Sequence, residues 1–265
     1  MRVDRAGAPW RRGAPSWHAR DLLPVTVLLA LSALAWLAVP RLAAGSMSSG
    51  GHMGPMAGPT LAALGFFLAM WTVMMAAMML PAVTPVVVRV SRLARTARHR
   101  GARTPMTAGY LLVWSGAGIA AYLLAVGGQQ ATMRGDIRAS QLTAFVLLLA
   151  GCYQLTPLKR ACLRRCRSPL ALVVRYGEVA ARGDNGALRV GTRHGLHCLG
   201  CCWALMAVML VAGMTSLVLM GVVAALILVE KTLPHGEGLS RLFGGIMIVY
   251  ALLLLTAPNL VPATA

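Results

Sequence analysis

Residues 194–214 read HGLHCLGCCWALMAVMLVAGM, and this stretch joins a start rich in cysteine and histidine to a continuous apolar run. A helix that crosses the hydrocarbon core of a bilayer needs about 20 predominantly apolar residues. The apolar part of the stretch has that character, and three cysteines and two histidines stand at its beginning. The stretch therefore predicts a membrane helix that carries a chemically reactive group of side chains at one end.

The composition of the whole chain indicates a membrane protein. Of the 265 residues, 58% are hydrophobic and only 12% are charged, which is too apolar and too poor in charge for a soluble domain of this length. Further apolar runs predict an all-α, polytopic membrane helical bundle. About seven transmembrane helices are expected, over residues 22–40, 60–83, 106–127, 140–158, 197–214, 216–232 and 242–258.

The basic residues predict the orientation of these helices. With the N-terminus inside, 22 of the 25 Lys and Arg residues lie in cytoplasmic segments, as the positive-inside rule requires. The net charge of +18 follows from these segments, so no nucleic-acid partner is expected and the lipid bilayer is the first partner. The predicted organisation is a basic cytoplasmic N-terminal tail (1–21), a single transmembrane domain (22–258) and a short external tail (259–265).

The cysteines and histidines of the opening stretch fall on one side of a helix. At about 100° per residue, Cys198, Cys201 and Cys202 share a face with His194, and His197 borders that face. Met206 and Met209 continue it into the apolar run. A second pair, Cys162 and Cys166, is spaced i, i+4 in LKRACLRRCR. Thiolates bind Cu(I) and zinc, so the pattern predicts a metal site. The alternative is that cysteines fill a helix interface.

Methionines form a second group of soft donors. Residues 70–79 read MWTVMMAAMM, and Pro81 follows. Thioether sulfur selects Cu(I) and hardly serves zinc, so the methionines favour copper, with zinc as the alternative. Methionine is also a common filler of helix interfaces. The candidate ligands of this kind are Met70, Met74, Met75, Met78 and Met79 in the helix, and Met47, His52, Met53 and Met56 in a Gly-rich external loop.

Two other functions are open from the same residues. The C-x-x-C of Cys198 and Cys201 at a helix N-terminus is typical of a reactive thiolate. The chain could therefore be a membrane thiol-disulfide oxidoreductase, with Cys162 or Cys166 as the resolving thiol. It could also be a structural subunit without metal or redox activity. An enzyme is the less expected outcome, because no P-loop motif and no Ser-His-Asp set can be assembled.

Ionisable residues within the predicted spans are few. Glu230, near the inner end of the sixth span, is a functional candidate because acidic residues inside membranes are costly. The alternative is that Glu230 pairs with an arginine at the interface. Lys231 is expected to extend its ammonium to the membrane surface.

Three blocks of the sequence resemble a bacterial family of uncharacterised proteins described as predicted metal-binding integral membrane proteins. The blocks are MWTVMMAAMMLPAVTPVV, YQLTPLKRACLRRC and GLHCLGCCWALMAVMLVAGM followed by EK. The resemblance implies a multi-pass protein of the bacterial inner (plasma) membrane. It also implies motif roles for Met74, Met75, Met78, Met79, Cys162, Cys166, Cys198, Cys201 and Cys202. The M-x-x-x-M spacings are also similar to those of Ctr-type copper uptake channels.

These observations lead to one hypothesis. The chain is expected to be a Cu(I)-binding integral membrane protein that acts in copper transport or in delivery of copper to membrane metalloenzymes. Its expected partners are the metal ion and a copper chaperone or an oxidase subunit, and the oligomeric state is left open. The cysteines are expected to bind the ion at the cytoplasmic end of the bundle.

Overall fold

The computed structural model describes residues 19–48, 60–96, 103–167, 179, 183–212, 216–233 and 236–256. Within these ranges the chain forms helices and no strand. Eight helices are described here, and they are α1 (Ala19–Ser48), α2 (Leu61–Thr96), α3 (Arg103–Met133), α4 (Ala139–Leu155), α5 (Pro157–Arg167), α6 (Asp184–Ala212), α7 (Leu217–Thr232) and α8 (Gly236–Thr256).

The prediction of an all-helical chain with several long apolar helices is confirmed. Helices α1, α2, α3, α6 and α8 are each long and apolar enough to cross a membrane, and the bent pair of α4 and α5 would make a sixth span. The sequence predicts a seventh span over residues 216–232. That segment is α7, whose 16 residues extend for about 24 Å at 1.5 Å per residue, less than the hydrocarbon thickness of about 30 Å.

The helix that carries the cysteines begins earlier than the predicted span 197–214. It starts at Asp184, which lies in its first turn, where a negative charge interacts favourably with the helix dipole. Hydropathy misses this part because Arg189 and Arg193 interrupt the apolar pattern without interrupting the helix. The predicted break near residues 213–216 agrees with the structure, because α6 ends at Ala212 and the side chain of Ser216 caps α7.

A sharp bend separates α4 from α5. The two helix axes differ by 66°, and Thr156 between them has an extended backbone with φ −71° and ψ 151°. Proline disfavours a helical conformation in the residue before it, and Pro157 follows Thr156 directly. The hydroxyl of Thr156 accepts a hydrogen bond from the Lys159 amide at 3.2 Å, which caps the new helix. As a result, Cys162 and Cys166 lie on a helix turned away from α4 and packed on α6.

Helix α2 continues through Pro81, and its neighbour α1 satisfies the backbone that the proline leaves open. Proline has no amide hydrogen to donate to the carbonyl four residues earlier. That carbonyl belongs to Ala77, and it accepts hydrogen bonds from Ser32 Oγ at 2.6 Å and from Trp36 Nε1 at 3.2 Å. In an apolar interior each unpaired backbone group is costly, so these bonds fix α1 against α2.

Helices α3 and α6 approach so closely that their backbones touch. A Cβ atom on Gly191 would overlap the carbonyl oxygen of Met106, and one on Gly109 would overlap the carbonyl oxygen of Leu188. A Cβ on Gly195 would lie 3.0 Å from Val113 Cβ. Small residues spaced by four allow this type of approach between membrane helices. The contact holds the side chains of α3, including Tyr110, against the cysteine-bearing helix.

We predict that Gly191→Ala destabilises the fold, because the added methyl group has no space between α3 and α6. The expected loss is about 1–3 kcal/mol of the free energy of unfolding, measured by thermal unfolding in detergent. Gly116→Ala is the matched control on α3, because nothing lies within 4 Å of its added Cβ. An equal loss of stability in both variants would contradict the proposed close packing.

Candidate metal centre

Three cysteine thiols of α6 converge inside the helical bundle. The sulfur atoms of Cys198, Cys201 and Cys202 all lie within 4.8 Å of one another, and each residue is 1% exposed. The thiols of Cys201 and Cys202 both donate to the carbonyl oxygen of Cys198, at 3.0 and 2.9 Å. The helical spacing i, i+3, i+4 produces this convergence, as expected from the sequence. The three sulfur atoms could hold one metal ion.

Two side chains from other helices contact the sulfur of Cys198. The hydroxyl of Tyr110 on α3 lies 2.9 Å from it, and Lys231 Nζ on α7 donates to it at 3.0 Å. Lys231 Nζ also lies 4.0 Å from the sulfur of Met79. The ammonium of Lys231 is therefore directed into the bundle, which differs from the expectation that it extends to the membrane surface. A positive charge beside a cysteine sulfur favours the thiolate that binds metals.

Helix α5 brings two more cysteines to the same place. Cys166 is buried in the same core as Cys198, Cys201 and Cys202. Cys162 is half-buried, and its sulfur lies against the backbone of Gly200 on α6. The five candidate cysteines thus belong to one core region where α5 packs on α6, and among the described residues the sulfurs of Cys198, Cys201 and Cys202 form its close group. Cys152 on α4 is exposed, and it is not among the candidates.

A buried ion pair holds α5 in this position. Lys159 Nζ on α5 and Glu230 Oε2 on α7 are 2.7 Å apart, with side chains 1% and 3% exposed. Beyond this pair, Arg167 donates to the carbonyl of Leu233. The sequence indicated that Glu230 is either functional or paired with an arginine, and its partner is instead this lysine.

The two candidate histidines differ in their surroundings. His194 is buried and stacks on Tyr110, with ring centroids 5.8 Å apart. Its Nδ1 has no hydrogen-bond partner among the residues that the structure describes. His197 is half-exposed. In the described part of the chain, neither histidine joins the close group of three sulfur ligands. The Nδ1 of His194 belongs to a buried histidine one helical turn before Cys198.

The candidate methionines of the helices are buried in the same core as the cysteines. Each of them is less than 5% exposed, and they are Met74, Met75, Met78, Met79, Met206 and Met209. Met70 is 8% exposed, and the core also contains Met106 and Met220, which the sequence analysis did not single out. Only Met79 is linked to the thiols by a described polar contact, through Lys231. The candidates His52, Met53 and Met56 lie outside the described residues, and Met47 lies near the end of α1.

The donor set fits a soft monovalent ion. Cysteine sulfur and methionine sulfur both suit Cu(I), whereas the acidic groups that hard cations require are missing from the described thiol cluster. Two thiolates and one Cu(I) ion carry a net charge of −1, which the ammonium of Lys231 balances. Such compensation matters because an unpaired charge is costly in a buried site.

A comparison with known protein families agrees with this chemistry. The family model PpoB2, described as a copper chaperone, matches residues 68–254. The chain belongs to the PpoB2 copper chaperone family. The match includes the methionines of α2 and all five cysteines near the α5–α6 crossing. No curated protein and no solved structure matches the chain.

The structure also adds residues that the sequence analysis of this PpoB2 family member missed. The contact of Tyr110 with Cys198 could not be predicted, because Tyr110 lies 88 positions earlier in the sequence, in an otherwise ordinary apolar helix. Lys159 was missed because it is one of several basic residues in the sequence of α5. The spacing of Gly191 and Gly195 is a recognisable small-xxx-small pattern, and it could have predicted the close contact with α3.

We predict that Glu230→Gln destabilises the protein, because it leaves the Lys159 ammonium buried without an opposite charge. Breaking a buried pair in this way costs about 3–5 kcal/mol, and thermal unfolding in detergent measures it. Glu237→Gln is the control, because it removes an exposed pair with Arg164 at 3.6 Å and changes stability by less than about 1 kcal/mol.

The double variant Lys159→Met with Glu230→Leu separates charge from packing. An apolar pair can replace a buried ion pair with little loss of stability, so most of the stability lost in Glu230→Gln should return. A double variant as unstable as the single one would contradict the view that the unpaired charge causes the loss.

Proposed function

We propose that this protein binds Cu(I) on its buried thiol cluster and delivers it to a metalloenzyme of the same membrane. The observation that carries the proposal is the convergence of the Cys198, Cys201 and Cys202 sulfurs within 4.8 Å inside a member of a copper chaperone family. Cys166 adds a fourth thiol from α5. Four thiols give the ion alternative sets of two or three ligands, so it can be held and later released.

The contacts of Cys198 suggest how the chain favours copper in the Cu(I) state. Lys231 and Tyr110 both approach the Cys198 sulfur. The ammonium offsets the negative charge of a Cu(I)–dithiolate centre, and the phenol can donate a hydrogen bond to the same sulfur. A divalent ion with two thiolates would instead be neutral, and it would leave the Lys231 ammonium without an opposite charge. Zinc is therefore the less favoured ion, and it is an outcome that the metal analysis below distinguishes.

The long apolar helices support a location in a membrane, and the predicted N-terminus-inside orientation places the cysteines toward the cytoplasmic side. We propose the bacterial inner membrane, with a single transmembrane domain between short tails. The buried methionines of α2, which reach Lys231 through Met79, would then guide Cu(I) away from the thiols. The acceptor is proposed to be an oxidase subunit or another copper enzyme, and the donor a soluble Cu(I) carrier.

We predict that the purified protein binds Cu(I) and that Cys198→Ser weakens this binding by about 100-fold or more. The reason is that Cys198 is central to the cluster, with Tyr110, Lys231 and the neighbouring cysteines all in contact with it. Metal analysis by mass spectrometry and competition with a Cu(I) chelator measure the effect. Cys152→Ser is the matched control, because Cys152 is exposed and lies on α4.

Two results would contradict the copper proposal. Protein that retains zinc and excludes Cu(I) would make this a zinc-binding protein. Protein that holds no metal but forms mixed disulfides through Cys198 or Cys201 would favour the thiol-disulfide oxidoreductase alternative. Loss of copper in Cys152→Ser to the same extent as in Cys198→Ser would show that the loss is not specific to the cluster.

We also predict that Met75→Leu with Met79→Leu leaves folding intact but slows the release of Cu(I) to an acceptor. Leucine matches the volume of methionine and removes the thioether donor, and both residues are fully buried. Release is measured as transfer of copper from loaded protein in proteoliposomes to a chelator. Met133→Leu is the control, because Met133 is 71% exposed. An unchanged rate would assign the two methionines to packing alone.

A further inference from the structure

The five clustered thiols are not equally accessible. Cys166, Cys198, Cys201 and Cys202 are buried, whereas Cys162 is half-buried. Cys162 lies one helical turn before Cys166 on α5, and it combines partial exposure with a place against Gly200, next to Cys201. A buried metal site needs a ligand that can meet the donor molecule first, and Cys162 is the described thiol of the cluster with that position.

Gly200 allows Cys162 to reach the cluster. A Cβ atom built on Gly200 would lie 2.8 Å from the Cys162 sulfur, which is closer than real Cβ atoms approach other atoms. The thiol therefore rests on the bare backbone directly before Cys201. The hydroxyl of Tyr153 donates to the carbonyl of Gly200, which braces this backbone from α4. Any larger residue at position 200 would push the Cys162 side chain away.

The surface beside Cys162 is positively charged. Helix α5 carries Arg164 and Arg165 as exposed residues, and Arg164 is only loosely paired with Glu237 at 3.6 Å. Clustered basic residues attract negatively charged ligands and raise their rate of association. Cu(I) bound by two thiolates carries a charge of −1, so a small thiolate complex of Cu(I) fits this surface.

We propose that Cys162 is the exchange thiol through which Cu(I) passes between a soluble thiolate carrier and the buried cluster. This inference rests on the proposed copper function and adds the point of access. In the exchange, the Cys162 thiol gives up its proton as its sulfur bonds to Cu(I), and the departing carrier thiolate takes up a proton. Cys201 or Cys166 then gives up its proton and bonds to Cu(I), while the Cu–S bond to Cys162 breaks and the Cys162 sulfur takes up a proton. A second exchange of the same kind, with Cys198, releases the remaining carrier thiolate as a thiol. Copper remains Cu(I) throughout, so no electron is transferred.

The test measures loading rate and equilibrium binding separately. Metal-free protein in detergent is mixed with Cu(I)–glutathione, and bound copper is followed with time and at equilibrium. Cys162→Ser should keep the copper stoichiometry of the unaltered protein but load about tenfold more slowly or worse, a change of about 1.4 kcal/mol in the barrier. Cys198→Ser should instead bind less copper per protein molecule at equilibrium.

Gly200→Ala tests the same route without removing a thiol. The added methyl group should displace Cys162 and slow loading as Cys162→Ser does. Gly245→Ala is the matched control, because nothing lies within 4 Å of its added Cβ, and its loading rate should not change. Thermal unfolding shows whether each variant is folded. If Gly200→Ala does not fold, the loading rate of Cys162→Ser alone tests the proposal.

Two outcomes would overturn the proposal. An unchanged loading rate in Cys162→Ser would mean that copper reaches the cluster by another path. Loss of stoichiometry equal to that of Cys198→Ser would make Cys162 a resident ligand. If the unaltered protein takes up no copper, the proposed function fails, and the exchange role fails with it. That result differs visibly from a slow variant of a copper-loaded protein.

Discussion

The buried ion pair between Lys159 and Glu230 joins the two helices that surround the thiols of α6. Removing two charges from water costs several kcal/mol per ion, so the chain gains from this pair only if it fixes something else. The pair joins α5, which has 11 residues and is too short to be stable alone, to α7. These two helices carry Cys166, which lies in the same core as the cysteines of α6, and Lys231, which donates to the Cys198 sulfur. The ion pair thus holds in place two helices that pack around the thiols of α6.

Two prolines show how the chain satisfies its backbone hydrogen bonds inside the bundle. Pro81 and Pro157 have different consequences. Pro81 keeps α2 continuous, because Ser32 and Trp36 satisfy the carbonyl that it leaves open. Pro157 ends α4, and Thr156 caps the helix that follows. The first arrangement keeps the buried methionines of α2 on one continuous helix. The second turns α5 toward α6.

The sequence predicted the helices and the shared side of Cys198, Cys201 and Cys202 well, because both depend on local periodicity. Hydropathy located the apolar segments, and spacing along one helix placed Cys198, Cys201 and Cys202 together. Hydropathy failed where charged residues interrupt the apolar pattern without ending the helix, as at Arg189 and Arg193. The predicted start of α6 was therefore too late in the sequence. Hydropathy also did not predict that α7 is short, because it does not distinguish a short packed helix from a full span.

The partners of the site could not be predicted, because they come from distant parts of the chain. Tyr110, Lys159 and Lys231 reach the cluster or its support only after α3, α5 and α7 have packed on α6. A lysine near a helix end is ordinarily expected to extend toward water. The sequence does not show that the nearest sulfur lies at 3.0 Å on another helix. Pro157 indicated a break near Thr156, but the direction in which α5 turns could not be predicted from the local sequence.

The position of Lys231 gives the site a requirement that goes beyond the softness of sulfur. A cluster of four thiols alone would accept zinc as readily as copper. The Lys231 ammonium beside the Cys198 sulfur changes the charge balance. It offsets the −1 charge of Cu(I) with two thiolates, whereas a divalent ion with the same two ligands is neutral and leaves the ammonium unbalanced. Where charges are weakly screened, this lysine would add a preference by charge to the preference that the ligands set.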